Sequence, residues 1–170
     1  MFKSGIGQDS HRFEEEGSNK PLMIGGVHIP GCPGLEGNSD ADVVLHALIN
    51  ALSGVSGRNI LGKISDDMCL RLGITDSKAY LAKAMESLGN YRISHVSVAI
   101  EGKRPRFEPV IGKIKESLAD LLKIQPSDVG ITATTGEGLT AFGRGEGLQA
   151  FVVVSAESVF YKKTKQIKMT

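Results

Sequence analysis

The stretch SDADVVLHALINALSG, residues 39–54, does most to limit what this chain can fold into. Leu45, Leu48, Ile49 and Leu52 fall at helical spacing and form an apolar stripe. Ser39 is placed to cap the N-terminus, Asp40 and Asp42 fall in the first turn where the helix dipole favours acids, and Gly54 fits the stop. A helix with such a face has to be buried against another layer.

The rest of the chain supplies that layer. PLMIGGVHIP reads as two short strands around Gly25-Gly26, a hairpin signal. RISHVSVAIEG alternates, with Val96, Val98 and Ile100 on one face. VGITATT and GLQAFVVVSAESVFY are β-rich, the latter long enough for a major strand. DSKAYLAKAMESLGN predicts a second helix, capped by Asp76 or Ser77, with Leu81, Ala84, Met85 and Leu88 inward and Gly89 at its end. EPVIGKIKESLADLLKI predicts a third, while RNILGKISDDMCLRLGIT reads as irregular and polar. The order is strand, hairpin, two helices, strand, helix, two strands. It predicts an α/β (α+β) sandwich: about four strands in a mixed sheet, three helices on one face, and a small β-hairpin. The uncovered sheet face calls for oligomerisation.

A chain of 170 residues reads as one domain, 1–170, with a basic tail at about 162–170 that is a solvated end. Net charge is +1 and there is no Trp, which argues against nucleic acid as a partner. No apolar signal core or membrane-length run is present. Cys32 and Cys69 have neither metal nor redox spacing and fit a reducing, cytoplasmic setting.

Three segments carry chemistry. In an extended IGQDSHRF, Asp9 and His11 point to one side, and both are ordinary zinc ligands. By itself such a pair is as well explained by a polar strand end. On the helix, Asp42, His46 and Asn50 are spaced i, i+4, i+8 and make one polar stripe, in which Asp42 could orient His46 or bind something itself. Asp9, His11 and His46 together make three protein ligands with the fourth position open, the catalytic zinc pattern. His28 and His95 lack partners at useful spacing. GRNILGKI (57–64) comes close to a nucleotide P-loop but ends in Ile64, which cannot coordinate magnesium, and is rejected. TATTGEGLTAFGRGEG (132–147) offers hydroxyls at Thr134 and Thr135, an acid at Glu137, Arg144 and free backbone amides, enough to wrap a diphosphate and hold a divalent cation. EGKRPRF (101–107) adds Lys103, Arg104 and Arg106 as a phosphate or nucleotide clamp. Either segment alone could also be a surface turn.

Taken in order, GIGQDSHRF, PLMIGGVHIP, NSDADVVLHALINALSG, DSKAYL, TATTGEGL and GRGEG resemble the 2-C-methyl-D-erythritol 2,4-cyclodiphosphate synthase family of the non-mevalonate isoprenoid pathway, over nearly the whole chain. The resemblance implies a homotrimer with active sites between subunits. It implies zinc on Asp9, His11 and His46, and magnesium or manganese on Glu137. It assigns Asp42 and Thr135 to catalysis, and Asn38, Ser39, Gly62, Arg106, Ala133, Thr134, Thr135 and Arg144 to substrate. The implied substrate is 4-diphosphocytidyl-2-C-methyl-D-erythritol 2-phosphate, which cyclises with release of CMP. Four positions depart from the family pattern: Asn38 replaces a histidine, Ile60 a substrate-facing aspartate, Arg106 a lysine, and Gln8 an aromatic residue. Two other readings use the same residues. One is a zinc-dependent phosphate-ester hydrolase, which would release inorganic phosphate; the other is a non-catalytic trimeric nucleotide- or metal-binding module, which would turn nothing over.

Overall fold

A computed structural model describes residues 1–159; the basic tail lies outside the described residues. The strands are β1 (Phe2–Arg12), β2 (Pro21–Ile24), β3 (Val27–Pro33), β4 (Tyr91–Glu101), β5 (Val129–Thr134) and β6 (Gly147–Ser158). The helices are α1 (Val43–Ser56), α2 (Lys63–Asp66), α3 (Ser77–Glu86), α4 (Ile111–Leu122) and α5 (Ala141–Arg144). Four strands form one mixed sheet in the order β1-β6-β4-β5, and β2-β3 form the separate hairpin. Only the β4–β5 pair is parallel in the large sheet. Helices α1, α3 and α4 make the second layer, with α1 on β1 and β6, α4 on β5, and α3 against α1.

Alternation along the strands puts Val96, Val98, Ile100, Val152 and Val154 into the interface with the helices, all fully buried. Strand β1 meets α1 through glycine. A Cβ on Gly5 would lie 2.0 Å from the Ala51 carbonyl oxygen, and one on Gly7 2.0 Å from that of Ala47. The backbones therefore touch, and the residues of β1 that share the face of Gly5 and Gly7 are Asp9 and His11. The opposite sheet face stays uncovered in the single chain: Ile6 (69% exposed), Phe151 (43%) and Val153 (40%) sit side by side on it, in the register Ile6–Val153 and Gln8–Phe151.

Several boundaries differ from the sequence reading. Ser39 does not cap α1. Its hydroxyl accepts from the Ala41 amide at 3.1 Å, and Ala41 adopts φ +53°, which breaks the helical path before it starts. Asp42 is the N-cap, accepting from the amides of Val44 and Leu45, and Gly57 rather than Gly54 closes the helix in a left-handed conformation. The stripe Asp42, His46 and Asn50 divides: Asp42 turns to the hairpin, while His46 and Asn50 face β1, Asn50 Nδ2 donating to the Gln8 carbonyl at 3.1 Å. The stretch read as irregular holds α2 and one π-helical turn at Asp67–Arg71. Asp76 caps α3 as expected, though the helix ends at Glu86, ahead of Gly89. The third helix starts at Ile111, later than the apolar pattern suggests, and stops on Lys123 at φ +58°. Gly25 and Gly26 make the hairpin turn with φ of +59° and +78°, a pair of positive angles suited to a tight two-residue loop.

Candidate metal centre and substrate cavities

The glycine-mediated contact of β1 with α1 sets the centre. His46, one residue before Ala47, turns its Nδ1 to within 3.0 Å of Asp9 Oδ2 and 3.3 Å of His11 Nε2, and His11 Nε2 lies 2.9 Å from the same carboxylate oxygen. Among the described residues this is the trio of acidic, histidine or cysteine side chains whose ligating atoms converge. A carboxylate oxygen and two imidazole nitrogens are a zinc donor set. Their open side faces a cavity of about 260 Å³ lined by Asn38, Ser39, Leu61, Ser65, Asp66 and Cys69. The donor set and the cavity beside it fit a metal that keeps one position for substrate.

The electrostatics follow from this crowding. Burial opposes the Asp9 charge, but hydrogen bonds and Coulombic attraction from His11 and His46 outweigh it and pull its carboxyl down to about 2. His11 is pushed above the ordinary imidazole range, chiefly by its hydrogen bond to Asp9, against the cost of burial. The Glu36 backbone adds to the upward push on His11. His46 Nε2 lies 2.9 Å from Ser77 Oγ at the start of α3, and Ser77 in turn donates its hydroxyl to Asp40.

Asp42 takes no part in orienting His46, which corrects the sequence reading. Its carboxylate is fully buried and accepts four amides: Gly25 at 2.8 Å, Gly26 at 2.6 Å, Val44 at 3.1 Å and Leu45 at 3.0 Å. It locks the hairpin turn onto the start of α1. Burial pushes its carboxyl up, and the amides of Gly26, Leu45 and Gly25 oppose that shift. A group enclosed in this way reaches no substrate. Ile60 is buried in the core; Leu61 lines the cavity, and Gly62 is the residue before α2.

A second cavity, of about 520 Å³, lies at the ends of β4 and β5. Arg106, Ala133, Thr134 and Thr135 line it, with Lys103 and Phe107. Beside it Thr135 Oγ1 donates to Glu137 Oε1 at 3.4 Å, and Glu137 is exposed. Arg144 stands elsewhere: its Nε donates to Glu146 at 3.0 Å, and Arg12 reaches the same glutamate at 3.4 Å. Glu101, which the sequence reading passed over, accepts from Thr140 and packs under Gly136, so it braces the loop that carries Glu137. Asp66 and Ser77 were also missed. Each sits in a stretch that reads locally as a polar turn or a helix cap, and only tertiary structure brings them to the centre.

The YgbB family model matches residues 2–157. A curated relative from Chlamydia caviae, 2-C-methyl-D-erythritol 2,4-cyclodiphosphate synthase, is 49% identical over 156 residues, spanning 91% of this chain and 89% of its own. The chain belongs to this family. Among solved structures, the bifunctional IspDF from Campylobacter jejuni superposes with a TM-score of 0.84 at 26% identity, over 93% of this chain; the match spans only 42% of that longer protein. A CDP-bound form of 2C-methyl-D-erythritol-2,4-cyclodiphosphate synthase gives 0.76 at 29% identity, over 91% of this chain and all of that one (100%). The four-stranded sheet with one helical layer is thus the fold of the family. Among the described residues, no helix is long and apolar enough to cross a membrane.

Proposed function

We propose that this chain catalyses the reaction its relatives are named for: 4-diphosphocytidyl-2-C-methyl-D-erythritol 2-phosphate closes to 2-C-methyl-D-erythritol 2,4-cyclodiphosphate and CMP. An oxygen of the substrate's 2-phosphate forms a bond to the β-phosphorus. The bond from that phosphorus to the bridging oxygen breaks, and CMP leaves with the electron pair. The reaction needs no protein nucleophile. Positioning and charge neutralisation are the protein's share of the work. The carrying observation is the convergence of Asp9, His11 and His46 beside a cavity whose lining includes Asn38, Ser39, Ser65 and Asp66.

When bound, zinc at that trio and magnesium or manganese at Glu137 would neutralise and polarise the phosphate oxygens. Ser39, Asn38, Ser65 and Asp66 line the cavity and are placed to hold the methylerythritol hydroxyls and phosphate by hydrogen bonds. Asn38 cannot trade protons as a histidine would, which confines it to orienting substrate. Thr135 places the β-phosphate, while Arg106 and the backbone of Ala133 and Thr134 hold the CMP end.

A homotrimer with sites between subunits accounts for two further features. The exposed apolar face around Ile6, Phe151 and Val153 then gains a cover. The strand that carries Asp9 and His11 and the groove at β4 and β5 lie two to three strand spacings apart across the sheet, roughly 10–14 Å. A neighbouring copy's groove completes the site. Arg144 and Glu146 then belong to the subunit contact. The free thiols Cys32 and Cys69 suit the cytoplasm.

Incubation of the purified protein with this substrate, with and without chelator, tests the proposal. CMP and cyclic diphosphate in equal amounts, lost on chelation, are expected. Inorganic phosphate as product would favour a hydrolase, and no turnover with retained nucleotide binding a non-catalytic module.

A further inference from the structure

Outside the metal trio, a chain of polar contacts runs from His46 through Ser77 to the half-buried Asp40. His46 is 8% exposed and Ser77 is wholly buried. Ser77 makes three polar contacts. Its amide donates to Asp40 Oδ2 at 3.1 Å, its hydroxyl lies against Asp40 Oδ1, and the same hydroxyl oxygen is 2.9 Å from His46 Nε2. Asp40 also accepts the Asp42 amide at 3.3 Å, and its own amide is tied to the Thr75 carbonyl at 2.9 Å.

Donor counting fixes the direction of these bonds. A carboxylate only accepts, and a serine hydroxyl has one proton to give. With that proton committed to Asp40, Ser77 Oγ meets His46 Nε2 as an acceptor. His46 Nε2 must therefore carry the ring proton, and Nδ1 is left as a bare lone pair. Nδ1 is the atom that faces Asp9 and His11. We infer that Asp40 is a positioning residue for the metal centre: through Ser77 it holds His46 in the tautomer and orientation that present Nδ1 as a ligand. His46 thus has an outer support of its own, a part-buried carboxylate acting through a buried hydroxyl. A hydroxyl can turn either way, and Asp40 removes that freedom.

This inference rests on the metal reading of the trio, and the test separates the two. Zinc affinity is measured on zinc-loaded protein by competition with a chromophoric chelator, with folding checked by thermal melting at saturating zinc. Asp40→Asn offers an amide donor, which lets Ser77 reverse and give its proton to Nε2; Ser77→Ala removes the acceptor. Each is expected to weaken zinc binding by about 10–100-fold, the usual cost of losing an outer partner of a ligating histidine. Because Asp40 acts through Ser77, the double variant should bind no more weakly than Ser77→Ala alone. Unchanged zinc affinity in folded single variants, or losses that simply add, would overturn the relay. If the variants do not fold, the parent still decides. In its zinc-loaded form the His46 Nε2 proton should exchange slowly and show a nuclear Overhauser contact to the Ser77 β-protons; rapid exchange without that contact overturns it. Failure of the parent to hold zinc overturns the metal reading and the relay together.

Discussion

Asp9 carries a negative charge wanted by three parties: two imidazoles and, when present, a metal ion. That competition has a pH signature. In metal-free protein the depressed Asp9 contributes stability that is present above its ordinary 3.8 and fades as pH falls toward about 2. The raised His11 contributes stability that is complete below 6.5 and is lost as pH climbs past its raised value. Zinc needs His11 neutral, so its stabilisation runs the other way. Thermal melts between about pH 5.5 and 8 should therefore diverge: falling with pH in chelator, rising with pH in zinc. Parallel curves would remove His11 from the ligand set. At Glu137 the expected effect is on cations. Glu137→Gln retains an oxygen but loses the charge a hard cation prefers, so it should retain zinc and raise the magnesium requirement about tenfold. Superimposable magnesium titrations for variant and parent would remove Glu137 from the site.

At the scale of elements, the distance between β1 and α1 decides whether the trio exists. Gly7→Ala places a methyl against the Ala47 carbonyl, which is main chain and cannot swing away. The helix must retreat, carrying His46 from Asp9. A stability loss of about 1–3 kcal/mol or more is expected together with loss of zinc. Retained zinc in a folded variant would show that the strand gives way instead of the helix. Asp42→Asn should behave differently. It turns an amide donor toward backbone donors at the hairpin–helix joint, costing about 1–3 kcal/mol, yet leaves zinc content unchanged while folded. These two positions also show what could be read beforehand. The convergence of Asp9, His11 and His46 was legible because strand and helix periodicity place them on defined faces. The cap was not: S-D-A-D offers three capping side chains, and the left-handed backbone of Ala41 that selects Asp42 is carried by no residue type. Asp40 and Ser77 were hidden for a related reason. Each is a plausible cap in its own segment, and 37 residues separate them in the chain.

For the whole molecule, the separation of trio and nucleotide groove across the sheet leads to a complementation test. His46→Ala and Thr135→Ala should each be nearly inactive alone. Subunits mixed before assembly should regain about a quarter of parent activity, the random-mixing fraction for sites shared by neighbours. No recovery would place both halves of the site within one chain. One further consequence follows from the pairing of β1 with β6, which sets Phe2 opposite Glu157. Of the described strands β1 is made before β6, and it waits for β6 before it has a neighbour in the sheet. In the sheet Asp9 and His11 pair with Ala150 and Leu148, so the strand that carries two of the trio is completed only when β6 arrives. Closing so long a loop is slow, and until it closes the glycine-rich β1 is an unpaired edge. Truncation of the C-terminal strand should therefore give aggregation-prone chains that hold no metal, even though every metal ligand has already been synthesised.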